Sequence, residues 1–239
     1  MLLTLLAALG CLAWQQRRGR KDALDLGLLA LLAGVIGARV GHVLANWAYY
    51  GERQAAMLDL RDGGLSWHGG LLAGLAALAL AAAWQREDAA PYPLRLQEML
   101  AVLAAPLAIG LLGGWLACLL TGCAYGLAIA PPQRFYTPDW PDSYGVLAFR
   151  LPSQLLGMAL ALLLLLLRPL RRRPALFLMA LAAGTCLIAW TRGDLPVSWG
   201  PLRATQWIDI GLILVGAALA VAGQRARRRA SQELPPCTQ

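Results

Sequence analysis

Gly63-Gly64-Leu65-Ser66-Trp67-His68-Gly69-Gly70 leads straight into the apolar run LLAGLAALALAAAW of residues 71–84, which sets an ionisable ring and two glycine pairs at the mouth of a long hydrophobic segment. A run of this length and composition reads as a helix crossing a low-dielectric slab. Glycine carries no Cβ, so the two pairs let another backbone or a ligand approach the imidazole closely. The plainer alternative is a helix start with a polar cap.

The rest of the chain agrees with the slab. Of 239 residues, 59% are hydrophobic and only 14% charged, a balance that excludes an ordinary soluble domain. The period-2 alternation of a membrane barrel is missing, which leaves helices. The formal net charge of +8 raises nucleic acid as a partner, but the basic residues sit in short loops and report orientation instead. Cys11, Cys118, Cys123, Cys186 and Cys237 form no disulfide framework or metal pattern. Cys118 and Cys123 are about 140° apart around an ideal helix, so pairing is not implied and packing as small hydrophobes is the stronger reading. Neither a metal nor a cofactor is expected.

Seven spans are expected, at about residues 2–14, 24–46, 68–84, 99–125, 152–168, 175–190 and 206–221. They make residues 1–224 a single all-α transmembrane domain, with 225–239 a basic, disordered cytoplasmic tail. The first span is short and reads as a retained anchor, followed by the cluster Arg17, Arg18, Arg20 and Lys21. Pro106 predicts a kink in the fourth span. The segment 128–150, rich in proline and aromatics, is expected to lie as a loop on the membrane surface. Alternate loops carry 14 Lys and Arg on one side against 6 on the other. The amino terminus is therefore expected outside and the carboxyl terminus inside.

With that topology, Arg39, His42, Asn46, His68, Arg150, Gln154, Arg192, Asp194, Gln206 and Asp209 all fall at or near outer span ends. Arg39, His42 and Asn46 recur at i, i+3 and i+7 and share a helix face. An arginine within a membrane helix costs about 2.5–3.5 kcal/mol on insertion scales, so it lines a cavity, meets an anion or snorkels to the headgroups. Arginines beside a lipid-accessible cavity suit a phosphate, and a neutral histidine nearby can take a proton from a nucleophile. The residues alone point to an anionic phospholipid headgroup in the outer leaflet.

Several segments, in order, resemble the bacterial phosphatidylglycerol–prolipoprotein diacylglyceryl transferases. GARVGHVLANWAYY (37–50) is similar to that family's second helix, SWHGGL (66–71) to its His-Gly-Gly motif, and LPSQLL (151–156) to its Pro-Ser/Thr-Gln motif. WTRGD (190–194) is similar to its late arginine segment and TQWIDIGLILVG (205–216) to its last helix. Gly114 to Gly126 aligns without a gap to its Gly-Arg-x-Gly-Asn/Cys…Gly-Glu/Cys…Gly signature. The resemblance implies transfer of a diacylglyceryl group from phosphatidylglycerol to the lipobox cysteine of a preprolipoprotein signal peptide, in a multi-pass protein of the bacterial cytoplasmic membrane. It also implies that His68 is the base and Arg192 the essential late arginine. Arg39, Asn46, Gly69, Gly70, Arg150 and Gln154 are then the substrate-binding positions.

This chain departs from the pattern at chosen places. Trp115 stands for the signature arginine, Cys118 for the asparagine, Cys123 for the glutamate and Val102 for an aspartate, while Leu156-Gly157 replaces a common Tyr-Glu. Two other readings follow from those departures. One keeps the fold as an inactive phospholipid- or lipoprotein-binding module, with Trp115 its best support. The other makes Cys118 or Cys123 a working thiol in an altered transfer.

Overall fold

The computed structural model describes residues 2–20, 22–59, 63–85, 90–130, 139–195 and 197–232. Lys21, residues 131–138 of the aromatic loop, and the tail from residue 233 with Cys237 lie outside them. In chain order the elements are α1 (Leu2–Arg17), α2 (Ala23–Ala45), single-turn α3 (Trp47–Tyr50), α4 (Trp67–Trp84) and α5 (Tyr92–Thr121). There follow a hairpin of β1 (Asp139–Pro141) and β2 (Leu147–Phe149), then α6 (Ser153–Leu166), single-turn α7 (Arg168–Arg171) and α8 (Pro174–Ala189). A second hairpin, β3 (Ser198–Trp199) and β4 (Leu202–Arg203), runs into α9 (Ala204–Gln232). Each expected span falls on a helix. Among the described residues α2, α4, α5 and α9 are long and apolar enough to cross a membrane, and α6 and α8 are shorter apolar helices.

Three expectations need correction. First, α9 continues to Gln232, so Arg225, Arg227, Arg228 and Arg229 are helical and not part of a disordered tail. Arginine, alanine and glutamine are good helix formers, and no breaker follows Gly223 before that point. Second, the two segments that precede α6 and α9 contain hairpins. In the first, the Asp142 carboxylate accepts from the Tyr144 N–H (2.8 Å) and Val146 N–H (3.0 Å), and Gly145 takes φ +80°. This side-chain turn brings β2 back antiparallel on β1. Third, the expected single domain divides into two compact units: Leu12–Leu103, and residues up to Cys11 with those from Ala104 onward.

In the first unit α2 and α4 meet backbone to backbone. A Cβ on Gly69 would lie 2.5 Å from the Gly37 carbonyl oxygen, and one on Gly37 would lie 2.6 Å from the Gly69 oxygen. Ser66 N–H donates to the Ala38 carbonyl (2.8 Å), while the Ser66 hydroxyl caps the Gly69 N–H (3.3 Å). The close approach anticipated for the glycine pairs is thus made by another helix. Pro106 leaves the Val102 carbonyl without its helical donor, and the Gln15 side-chain amide donates to it at 3.0 Å.

In the second unit each helix pair meets at a glycine. Thr4 lies over Gly113, the Trp115 indole over Gly157, Leu160 over Gly184 and Met179 over Gly216. The carboxyl-terminal end of α8 and the amino-terminal end of α9 are tied by polar side chains. Thr185 donates to Asp209 (2.9 Å), Gln206 donates to the Cys186 carbonyl (3.3 Å), and Asp209 is 1% exposed.

Candidate functional site

The first unit holds Arg39, Asn46, His68, Gly69 and Gly70. All five N–H donors of Arg39 end on backbone carbonyls. Nε reaches Met57 (2.8 Å), Nη1 reaches Gly63 (2.8 Å) and Gly64 (3.1 Å), and Nη2 reaches Ala56 and Asp59 (both 2.6 Å). A guanidinium has five donors, so this one clamps the loop and keeps no fork for a phosphate. Gly64, at φ +76°, fits beneath the clamp because a Cβ there would strike His42 and Arg39 within 2.8 Å. Asn46 is exposed and donates to the His42 carbonyl at the end of α2 (2.9 Å), which makes it a cap. Gly69 and Gly70 face α2 backbone. His68, by contrast, is buried in the first turn of α4, at 8% exposure.

The second unit brings Arg150, Gln154 and Arg192 to one extended strap, residues 125–129. On one side of the strap, Leu127 N–H donates to the Thr191 carbonyl and Gly193 N–H to the Tyr125 carbonyl (both 2.8 Å). On the other, Ile129 N–H donates to the Phe149 carbonyl (2.8 Å) and Leu151 N–H to the Leu127 carbonyl (2.9 Å). Arg192 therefore pairs with Gly126 across one edge and Arg150 with Ala128 across the other. Two arginines distant in sequence are held by a single segment.

Neither arginine is a bare cation. Arg150 is buried, lies over the Tyr125 ring at 4.6 Å and donates to the Asp142 carboxylate at 2.8 Å. Arg192 grips Asp194 through Nε and Nη2, and Arg203 bonds the same carboxylate at 3.0 Å while donating to the Arg192 carbonyl at 2.6 Å. Burial works to raise the Asp194 carboxyl, but Arg192 and then Arg203 hold it below the usual carboxylate range. Burial likewise opposes Asp142, and the N–H groups of Val146 and Tyr144 with Arg150 bring it below that range too. Two guanidiniums against one carboxylate leave the Arg192 cluster cationic, and the Arg192 side chain is 28% exposed against 10% for Arg150. Arg192 is the better placed to meet an anion.

Gln154 donates to the Cys123 carbonyl at 3.0 Å. It lines, with Arg150, Tyr125, Gly126 and Leu119, a cavity of about 10 Å³, the room one water needs. Reading the sequence missed Arg203 and Asp142. Both sit in turn-rich segments between helices, where a hairpin places a residue beside a partner several positions away. No group of three or more metal-ligating side chains occurs among the described residues.

A family model described as prolipoprotein diacylglyceryl transferase matches residues 1–222. The chain belongs to that family. It is similar to the phosphatidylglycerol–prolipoprotein diacylglyceryl transferase of Bordetella parapertussis, 30% identical over 212 residues, which cover 83% of this chain and 77% of that protein. The enzyme of the same name from Thermosynechococcus vestitus is 27% identical over 218 residues, covering 86% and 78%. That of Clostridioides difficile is 39% identical over a local 56 residues, 23% of each chain.

Membership in the diacylglyceryl transferase family makes the departures informative. Trp115 and Gly157 are in contact: a Cβ at 157 would overlap the indole, so the large residue at the arginine position fits because its neighbour is the smallest. The indole Nε1 is buried with no hydrogen-bond partner among the described residues. Cys118 and Cys123, expected to pack as small hydrophobes with no pairing implied, form a disulfide. The expectation fails because α5 ends at Thr121, and Gly122 (φ +73°) with Ala124 (φ +51°) turns Cys123 back over the last helical turn. A continuous helix was the wrong geometry for that pair. In this disulfide state neither sulfur is a thiol, which removes them as working nucleophiles.

Proposed function

We propose that this protein transfers the diacylglyceryl group of phosphatidylglycerol to the lipobox cysteine of a preprolipoprotein at the outer face of the bacterial cytoplasmic membrane. The observation that carries the reading is the family match across residues 1–222, joined to retention of His68 and Arg192 in their matching motifs. In the proposed reaction the acceptor thiol loses its proton to His68. Its sulfur then forms a bond to the glyceryl carbon as the bond from that carbon to the phosphate oxygen breaks, and glycerol phosphate leaves. A thiol with an unperturbed pKa near 8.5 gains from a base, and the departing phosphate gains from the cationic cluster of Arg192 and Arg203. Arg150 and Gln154 act by shaping the wall beside the strap, and Arg39 by holding its loop.

The seven helices α1, α2, α4, α5, α6, α8 and α9 are proposed to cross the membrane, amino terminus outside and carboxyl terminus inside, supported by the 14 to 6 asymmetry of basic residues. The test is transfer from phosphatidylglycerol to a lipobox peptide in proteoliposomes. Wild type is expected to lipidate the peptide, and His68→Ala and Arg192→Ala are each expected to lower the rate by about 10² or more, the scale of one lost base or one lost charge-stabilising donor. Retention of phosphatidylglycerol by a wild type that never lipidates the peptide would establish the inactive binding module instead.

A further inference from the structure

The turn stapled by Cys118 and Cys123 touches every part of the strap's surroundings. Gly122 packs on the Asp142–Ser143 peptide, where a Cβ would lie 2.6 Å from the Asp142 carbonyl, and Asp142 is the ion-pair partner of Arg150. The Cys123 carbonyl receives Gln154, the next ring, Tyr125, lies under Arg150, and Gly126 is the bridge to Arg192. Between them Ala124 holds φ +51°, the one non-glycine residue with a left-handed backbone among those described. An L side chain resists that conformation, so it persists only where the surroundings impose it. The crosslink across Cys118 and Cys123 is the covalent member of those surroundings.

We infer that the Cys118–Cys123 disulfide is a positioning element that sets the 125–129 strap, and with it Arg150 and Arg192, and that oxidation of this pair tightens the site for its phospholipid substrate. The consequence for transfer rests on the function proposed above. The strap lies at the amino-terminal end of α6, opposite the Arg168–Arg173 cluster at its other end. That is the end which the charge asymmetry assigns to the outer, disulfide-permissive side. Forming the bond removes two electrons and two protons from the thiols. They pass to an exocytoplasmic disulfide oxidant, which becomes a dithiol, so a thiol-oxidising reaction supplies the stapled form.

Three forms of the full chain in lipid nanodiscs decide the matter: wild type, Cys118→Ser/Cys123→Ser, and that double variant with Ala124→Gly. Mass spectrometry after maleimide treatment first establishes the bond, as two thiols that label only after reduction. Hydrogen exchange then follows the strap amides of Leu127 and Ile129. The double variant is expected to exchange about tenfold faster there, on the scale of one left-handed alanine released, with α8 and α9 unchanged. It is also expected to show a raised KM for phosphatidylglycerol. Ala124→Gly is expected to restore much of both, because glycine takes that φ without a staple. Equal strap exchange in wild type and double variant, or no rescue by Ala124→Gly, overturns the inference. An oxidised wild type that transfers nothing overturns the transferase reading, while the exchange comparison still decides the staple.

Discussion

At the scale of single residues, the arginines of this protein differ in what their donors have left to give. Arg39 is saturated by five carbonyls, Arg150 is buried on Asp142, and only Arg192 combines exposure with a locally cationic cluster. Arg39→Ala should therefore act on order before chemistry. It is expected to destabilise the segments 54–59 and 63–64 by about 2 kcal/mol, the worth of hydrogen bonds to a charged donor, and Arg39→Lys should not rescue it, because an ammonium has three donors in place of a planar fork of five. Limited proteolysis of those segments in the two variants measures this. The two depressed carboxyls give a pH dependence with a definite sign. Asp142 and Asp194 have folded pKa values below their unfolded ones, so their contribution is fully present above the ordinary carboxylate range and is lost as pH falls through the lowered values. Exchange protection of the β1–β2 hairpin should be flat from neutrality down to about pH 4 and fall below that. In Asp142→Asn that acid step should be gone. A step that survives the substitution would assign it to another group.

Among the helices, close approach is set by which carbonyls and glycines face each other. The α2–α4 contact leaves no room for a side chain at Gly69, so Gly69→Ala must push the helices apart. Its expected cost is about 1–3 kcal/mol, the overpacking range, read from unfolding in detergent. The Gln15–Val102 bond offers a sharper test, because its cause is the missing N–H of Pro106. Gln15→Ala should cost about 1 kcal/mol in the natural background and close to nothing when Pro106→Ala supplies the helical donor, a coupling that a double-mutant cycle detects. Much of this level was legible in the sequence: the helices from hydrophobic length, a close approach at Gly69 and Gly70 from the absence of a Cβ, and Pro106 as a backbone irregularity. What escaped was whatever depends on where a helix stops. Two left-handed residues after Thr121 decided that Cys118 and Cys123 meet, and a side-chain turn at Asp142 decided the partner of Arg150. Neither leaves a periodic signal. Trp115 and Gly157 looked like two unrelated departures until their contact made them one exchange of volume.

For the molecule as a whole, length and charge must agree about where the bilayer lies. A hydrocarbon core of about 30 Å takes about 20 helical residues, and counting from the start of α9 at Ala204 places the far boundary near Gly223. Arginines begin two residues later, at Arg225, so the last turns of α9 stand clear of the hydrocarbon with Arg225, Arg227, Arg228 and Arg229 in the headgroup and water layers. The apolar part of α5, from Met99 to Leu120, spans about 33 Å by the same rise, with Arg95 and Glu98 just beyond it. In the proposed topology the end of α9 that carries four arginines faces the cytoplasm, and the end that begins at the β3–β4 hairpin faces outside. A cysteine placed at Ala230 should accordingly react with a membrane-impermeant maleimide in inverted vesicles and stay protected in intact spheroplasts, whereas one placed at Tyr144, on the exposed tip of the first hairpin, should show the reverse. Labelling of both from the same side would reverse or break the proposed topology, and with it the claim that the Cys118–Cys123 bond forms in an oxidising compartment.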